Sequence, residues 1–157
     1  MTNGMFTEIL LAILAITLVV AAIIDVRTFT ISNHLNAFIA LLAPLFWWSS
    51  GLPFWPEAAI QVGVAVLVFV VLAGAFYAGM MGGGDVKLAA ALALWFSPAS
   101  TLTFLILMSI AGGVLTLVVV AIHRMKKKLG KPQVPYGVAI AFGALAILTQ
   151  RFLNQFA

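Results

Sequence analysis

An all-α bundle of six membrane-spanning helices is the fold class this sequence predicts, and three observations carry it. First, 64% of the 157 residues are hydrophobic and 8% are charged, with a mean hydropathy of +1.21. A soluble domain is roughly 45–50% apolar and about 25% charged, so no soluble fold would cover this much apolar surface. Second, long apolar runs alternate with short connections rich in Gly, Pro or charge. Third, the Lys and Arg residues gather in alternate connections, as loops retained in the cytoplasm do. Residues 1–157 read as one membrane-embedded domain. There is no cysteine, which excludes a disulfide framework, a thiol nucleophile and a cysteine-ligated zinc site. The +4 net charge is not a nucleic-acid signal, because half of the cations stand in the one run Arg124–Lys128.

The elements follow in order. Residues 1–6 are a short polar start without Lys or Arg, unlike the basic start of a cleaved signal peptide. Thr7 to Ile24 is long enough to span. Asp25 to Asn36 is a polar connection in which Ser32 or Asn33 caps the next helix. Leu35 to Trp48 is a short second span, ending in a Trp pair suited to the membrane interface. Ser49 to Pro56 is a turn. Ala58 to Tyr77 is strongly β-branched, but its unbroken apolar length argues for a helix rather than a strand. Ala78 to Gly84 is a glycine-rich loop, and Val86 to Phe96 is a fourth helix of roughly 16 Å, about half the ~30 Å hydrocarbon thickness. Ser97 to Ser100 is a turn or kink. Thr101 to Ile122 and Pro135 to Phe152 are the last spans, joined by a basic loop. Gly112-Gly113 and the pair Ala139 and Gly143 suit close helix packing.

With the N-terminus outside, connections 25–34, 78–86 and 123–134 face the cytoplasm. They and their flanks hold Arg27, Lys87, Arg124, Lys126, Lys127, Lys128 and Lys131, leaving only Arg151 of the eight cations outside. Both termini then lie outside. The same assignment brings Asp25 and Asp85, two of only four acids, to one membrane face.

That coincidence is the functional signal. Ionisable residues in or at the edge of a bilayer are expensive and tend to be functional. Asp85 follows Gly82-Gly83-Gly84 at the foot of a short helix, where irregular backbone at membrane depth requires protein or a wet cavity beside it. Two carboxylates within hydrogen-bond reach share a proton. The ionised one takes a proton from water while the protonated one donates to a carbonyl, which is general acid–base hydrolysis of a peptide. The glycines admit a substrate strand, having no side chain and accepting φ > 0. The structural alternative is that each aspartate caps its helix or pairs with its neighbour, Arg27 or Lys87. A further alternative is a small proton-coupled carrier using Asp25 and Asp85 as a relay. A relay strings polar groups across the bilayer, and no polar chain crosses the other spans. The two aspartate segments also differ from each other, against an inverted-repeat transporter.

Gly82-Gly83-Gly84-Asp85 resembles the Gly-x-Gly-Asp motif of intramembrane aspartyl proteases, and Val86-Lys87-Leu88 continues it as in type IV prepilin peptidases. Asp25, Arg27 and Ile31-Ser32-Asn33 resemble that family's other aspartate, basic residue and Ile-Pro-Asn-like triplet, with Ser32 in place of proline. Pro135-Tyr136-Gly137, followed by small residues to Gly143, is similar to its last helix. The resemblance implies a bacterial cytoplasmic-membrane endopeptidase removing the leader of prepilins or pseudopilins. Asp25 and Asp85 would be catalytic, and Gly82, Gly83, Gly84, Lys87, Asn33 and Tyr136 would shape the site or bind substrate, with no cofactor and no metal. The substrate has a basic leader followed by an apolar helix. Larger members add a cysteine-ligated zinc region and N-methyltransferase activity; this chain resembles the short, peptidase-only members of tight-adherence (Flp) pilus systems.

Other polar residues have modest roles. His34 and His123 lie far apart, without metal spacing, and read as interfacial. Lys126, Lys127 and Lys128 anchor the topology, with anionic lipid or an acidic substrate segment as further partners. Met80 and Met81 line the loop as adaptable filler.

The topology is directly testable in a chain without cysteine. With Ser50→Cys, Ser100→Cys and Lys127→Cys as single variants, an impermeant thiol reagent added to intact cells should label the first two and spare the third. Labelling of Lys127→Cys alone would overturn the assignment and the shared face of the aspartates.

Overall fold

The computed structural model describes residues 4–127, 129, 130 and 132–156. Among these residues all regular structure is helical: α1 (Gly4–Thr28), α2 (Asn33–Ser50), α3 (Ala59–Tyr77), α4 (Gly83–Ala93), α5 (Pro98–Met125) and α6 (Tyr136–Phe156). A turn at Phe54–Ala58, in which Trp55 is extended (φ −134°, ψ 130°), leads into α3. Met1, Thr2 and Asn3 of the polar start, and Lys128 and Lys131 of the basic loop, lie outside the described residues.

Four segments have the length and composition to cross a membrane: Gly4–Thr28, Phe54–Tyr77, Pro98–Met125 and Tyr136–Asn154. The chain is thus an all-α, multi-pass membrane protein, but six spanning helices are not what the elements provide. α2 has 18 residues, yet Asn33, His34 and Asn36 at one end and Ser49-Ser50 at the other dilute its apolar run. α4 has 11 residues, roughly half the thickness of the hydrocarbon core.

The first connection is also shorter than the polarity of residues 25–36 predicts. α1 runs past Asp25 to Thr28 and ends where Phe29 turns left-handed at φ 53°, a common way for a helix to stop. Thr28 keeps its hydroxyl on the Ile24 carbonyl at 2.9 Å, so local polarity is absorbed without breaking the helix. Ser32, rather than Asn33, caps α2: its Oγ accepts the Leu35 N–H at 3.2 Å. Ser97 caps α5 in the same manner, accepting from Ser100 N–H at 3.3 Å. The expected turn or kink at Ser97–Ser100 is thus a turn that ends at Ser97, with Pro98 opening a helix.

Short α4 is the centre of the bundle. It packs on α2, α3 and α6, while α1 lies against α2 and α6, and α5 against α6. Leu88, Ala89, Leu92 and Ala93 are completely buried, so the helix presents apolar side chains on several faces to protein rather than lipid. Its far end is tied to α2 by two indoles. Trp47 Nε1–H donates to the Leu94 carbonyl at 2.8 Å, and Trp95 Nε1–H to the Ile39 carbonyl at 3.0 Å. The Trp95 ring stacks on Phe46 at 5.0 Å between centroids. Of the Trp47-Trp48 pair only Trp48 is exposed, as an interfacial residue would be; Trp47 belongs to the core. A further bond, Thr7 Oγ1–H to Ser49 Oγ at 3.1 Å, joins α1 to α2 at this end.

Without an apolar driving force between helices in lipid, close backbone approach is what α5 and α6 have to gain from small residues. A Cβ added to Gly143 would meet Met108 N at 3.1 Å and Phe104 O at 3.2 Å, and one on Gly112 would meet the Tyr136 ring at 3.4 Å. At Gly113 a Cβ would meet nothing, so this glycine is not a packing residue. Gly143→Leu should therefore lower the thermal midpoint in detergent, with a loss on the order of 1–3 kcal/mol from overpacking. Gly113→Ala should leave the midpoint unchanged or raise it. Equal effects at the two positions would show that α5 and α6 do not depend on this approach.

Candidate active site

Asp25 and Asp85 converge at one end of the bundle, from the last turns of α1 and the first turn of α4. Both are buried, with 3% and 8% of their surface exposed. Such groups need hydrogen bonds, and each carboxylate receives one from a backbone amide next to a glycine-rich break. Gly137 N–H, at the start of α6, donates to Asp25 Oδ2 at 2.7 Å. Gly82 N–H donates to Asp85 Oδ2 at 3.0 Å. Gly82 is the residue before α4 and Asp85 is its third residue, so this bond also satisfies an amide at the helix start.

The glycines matter here for approach rather than for unusual backbone. Gly82 has φ −77°, and neither Gly83 nor Gly84 is left-handed, so the anticipated need for φ > 0 does not arise. A Cβ on Gly84 would lie 2.7 Å from the Ile31 carbonyl oxygen, and one on Gly137 would lie 2.8 Å from both Asp25 Oδ2 and Ile31 Cδ1. Ile31 thus sits between α4 and α6 in space that two missing side chains leave free. Gly83 is less constrained, its added Cβ falling 3.4 Å from the Phe76 ring. The arrangement is closed by Asn36, whose Nδ2–H donates to the Gly84 carbonyl at 3.0 Å.

Burial pushes the Asp85 carboxyl from an ordinary 3.8 up to about 6. The nearby charge of Asp25 adds to the rise, and the bond from Gly82 opposes it. Neither aspartate has a cationic partner among the described residues. Lys87 instead donates its Nζ–H to Asn33 Oδ1 at 2.8 Å, an exposed link between α4 and α2 beside the site. Tyr136 does not reach the carboxylates: its hydroxyl is 3.1 Å from Thr116 Oγ1 on α5. Ile31 packs closely on Gly84 and Gly137, and Gly137 lies directly against Asp25. His34 and His123 join no cluster, and among the described residues no group of His, Asp or Glu has the arrangement of a metal site.

Sequence reasoning does not find Gly137, Ile31 and Asn36 as site residues. Gly137 stands out only as part of the Pro135-Tyr136-Gly137 run, and its amide has no signature of its own in sequence. Asn36 has one, an amide side chain one turn into a largely apolar helix. Toward the other end of the bundle, Leu10, Leu11, Leu14, Leu18 and Ala21 fill the inward side of α1. No hydrogen-bonded chain among the described residues joins the aspartates to the polar pair Thr7 and Ser49.

A multi-pass helical membrane protein with two coupled, buried carboxylates at one end is the class that fold and site define. The chain belongs to the type IV leader peptidase family, whose model matches residues 12–117. The matched stretch includes both aspartates and the glycine triplet, and stops short of α6, which supplies the amide to Asp25. No curated protein and no solved structure matches the chain.

The raised pKa of Asp85 fixes the sign of a change in stability with pH. Folded Asp85 holds its proton to about pH 6, whereas the unfolded carboxyl gives it up near 4. Its contribution to stability is thus fullest below pH 4 and is lost as pH rises through 6, by an amount on the order of 2–3 kcal/mol. Asp85→Asn removes that dependence. The variant should melt at a higher temperature than the wild type at pH 8, and the gap should close toward pH 4. If Asp85→Asn melts lower at pH 8, the carboxylate is a structural cap.

Proposed function

We propose that this protein is an aspartic endopeptidase that removes the leader of prepilins or pseudopilins at the cytoplasmic border of the bacterial inner membrane. The observation that carries this is the convergence of two buried carboxylates from distant parts of the chain, each aligned by a separate backbone amide. The family supports a leader-peptidase role, and a prepilin-type substrate follows from it in general terms. The Gly-x-Gly-Asp setting of Asp85 supports the aspartic mechanism. The clustering of Lys and Arg in the connections that share a face with the aspartates supports a cytoplasmic site.

Asp25 and Asp85 hold one proton between them and bind one water. The ionised carboxylate takes a proton from the water, whose oxygen bonds to the scissile carbonyl carbon. The protonated carboxyl donates to the carbonyl oxygen as it gains charge. The carboxyl that took the water's proton passes it to the amide nitrogen while the other carboxylate takes a proton back from a hydroxyl of the tetrahedral intermediate; the C–N bond breaks, the leader's new carboxyl group and the new N-terminal amine leave, and the pair again holds one proton. Gly137 and Gly82 keep each carboxylate in one orientation through the cycle. Lys87 and Asn33 stand at the exposed margin, where they are placed to meet the leader. No methyl-donor step is assigned to this chain, and the new amine leaves unmodified.

The proton-relay reading has no observation in its favour, because no hydrogen-bonded chain among the described residues leads from the aspartates through the bundle. Cleavage and folded yield should be measured together for Asp25→Asn, Asp85→Asn and the double variant. Each single change should reduce cleavage by on the order of 10³-fold or more. The double should be hardly worse, since members of one catalytic unit are non-additive. Glu57→Gln, on an exposed acid, should be neutral. The mass of the mature N-terminus should show no methyl group when S-adenosylmethionine is supplied. Near wild-type cleavage by a correctly folded Asp25→Asn or Asp85→Asn protein would sink the proposal.

A further inference from the structure

We propose that the cleft between α3 and α5 is the docking groove for the substrate's apolar helix, an inference that rests on the peptidase reading above. Although α3 and α5 are neighbours, they touch only lightly along their length. Two cavities follow one another between them. One, of about 290 Å³, runs from Val64 and Pro98 to Leu72 and Leu105. The next, of about 510 Å³, runs from Leu72 and Met108 to Thr116, Leu117 and Tyr136. Leu72 lines both, so the cavities form one groove. Measured along α5 from Pro98 to Leu117, its length is about 28 Å at 1.5 Å per residue. That is close to the ~30 Å hydrocarbon core, enough for one complete spanning helix.

The groove's inner end fixes the choice of occupant. Met81 and Tyr136 line it there. Met81 is the residue before Gly82, whose amide holds Asp85; Tyr136 is the residue before Gly137, whose amide holds Asp25. A helix lying in the groove therefore leads its N-terminal end to the backbone that carries both carboxylates. The wall chemistry fits an apolar guest. Ser109 donates to its own helix at Leu105 O, and Thr116 to Gly112 O, each at 2.7 Å, so neither hydroxyl needs a polar partner from outside. Gly113 leaves its stretch of wall open, because a Cβ added there would have nothing within 4 Å. A substrate of basic leader, cleavage site and apolar helix has its parts in the order this geometry accepts: leader at the exposed Lys87 and Asn33 margin or beyond it, scissile bond at the aspartates, helix along α3 and α5.

The probe is a synthetic peptide with a basic leader, a glycine and an apolar helix of about 20 residues, carrying one cysteine at successive helix positions. The protein has no cysteine of its own, so disulfide formation reports proximity with Leu105→Cys and Gly113→Cys in the groove. Ile16→Cys and Leu41→Cys, exposed on α1 and α2, report contact from bulk lipid. Disulfides should form at the groove positions above the lipid-facing pair, and the partner of Gly113→Cys should lie about eight residues nearer the cleavage site than the partner of Leu105→Cys. Gly113→Phe fills the groove at a position without packing neighbours. It should raise KM for this peptide by about tenfold or more, with kcat little changed and folded yield intact. Equal labelling at all four positions, labelling of Ile16→Cys or Leu41→Cys alone, or an unaltered KM in folded Gly113→Phe would overturn the groove. If the groove crosslinks form while the wild type leaves the peptide uncut, the docking site stands and the peptidase assignment falls. If the peptide is cut but crosslinks elsewhere, the peptidase assignment stands and the groove falls.

Discussion

The structure turns on the close approach at Ile31. This residue belongs to the short link between α1 and α2, yet it touches Gly84 of α4 and Gly137 of α6 where a Cβ on either would collide with it. Three stretches of chain meet there without intervening side chains. The same approach sets Gly137 N–H on Asp25 and lets Asn36 donate to the Gly84 carbonyl. Were either glycine replaced, α4 or α6 would have to move away, and the two carboxylates would separate before any charge had changed. Packing at this point is thus the condition for the electrostatics.

The electrostatics in turn oppose the fold. Burying two carboxylates in a chain this apolar is unfavourable, and one hydrogen bond to each offsets only part of it. Asp85 responds by holding its proton toward neutrality, at about 6. A site of this kind stores instability that the rest of the bundle must cover. The cover is visible at the opposite end of α4, where Trp47 and Trp95 bond across to backbone carbonyls and Trp95 stacks on Phe46. A short central helix is therefore anchored firmly at one end and carries a buried carboxyl at the other.

Shortness also has a consequence for access. α4 does not cross a bilayer by itself and is surrounded by α2, α3 and α6. Its acidic end lies near the exposed Lys87 and Asn33 link, where the chain passes from apolar bundle to polar margin. The helix ends are polarised consistently: Arg27 closes α1, and His123 and Arg124 close α5, where cations favour the helix dipole. The one cation assigned to the other face, Arg151, lies over the Phe46 ring at 5.1 Å, which accommodates its charge by cation–π attraction.

Sequence alone determined the membrane class and the positions of the long helices, and singled out Asp25 and Asp85, because these depend on composition, run length and scarcity. A chain with so few acids makes each one conspicuous, and an apolar run of spanning length has few soluble alternatives. The sequence misjudged what depends on neighbours. Polar residues 25–28 suggested a loop, but Thr28 satisfied itself on α1 and the helix continued. Trp47 looked interfacial, but the Leu94 carbonyl drew it inside. Only tertiary structure decided that Gly137 from α6 aligns Asp25, that Ser32 rather than Asn33 caps α2, and that the glycines serve approach rather than a left-handed turn. A backbone amide leaves no distinctive letter in a sequence, and a glycine does not say which neighbour it admits. Their role exists only once distant segments have been packed together.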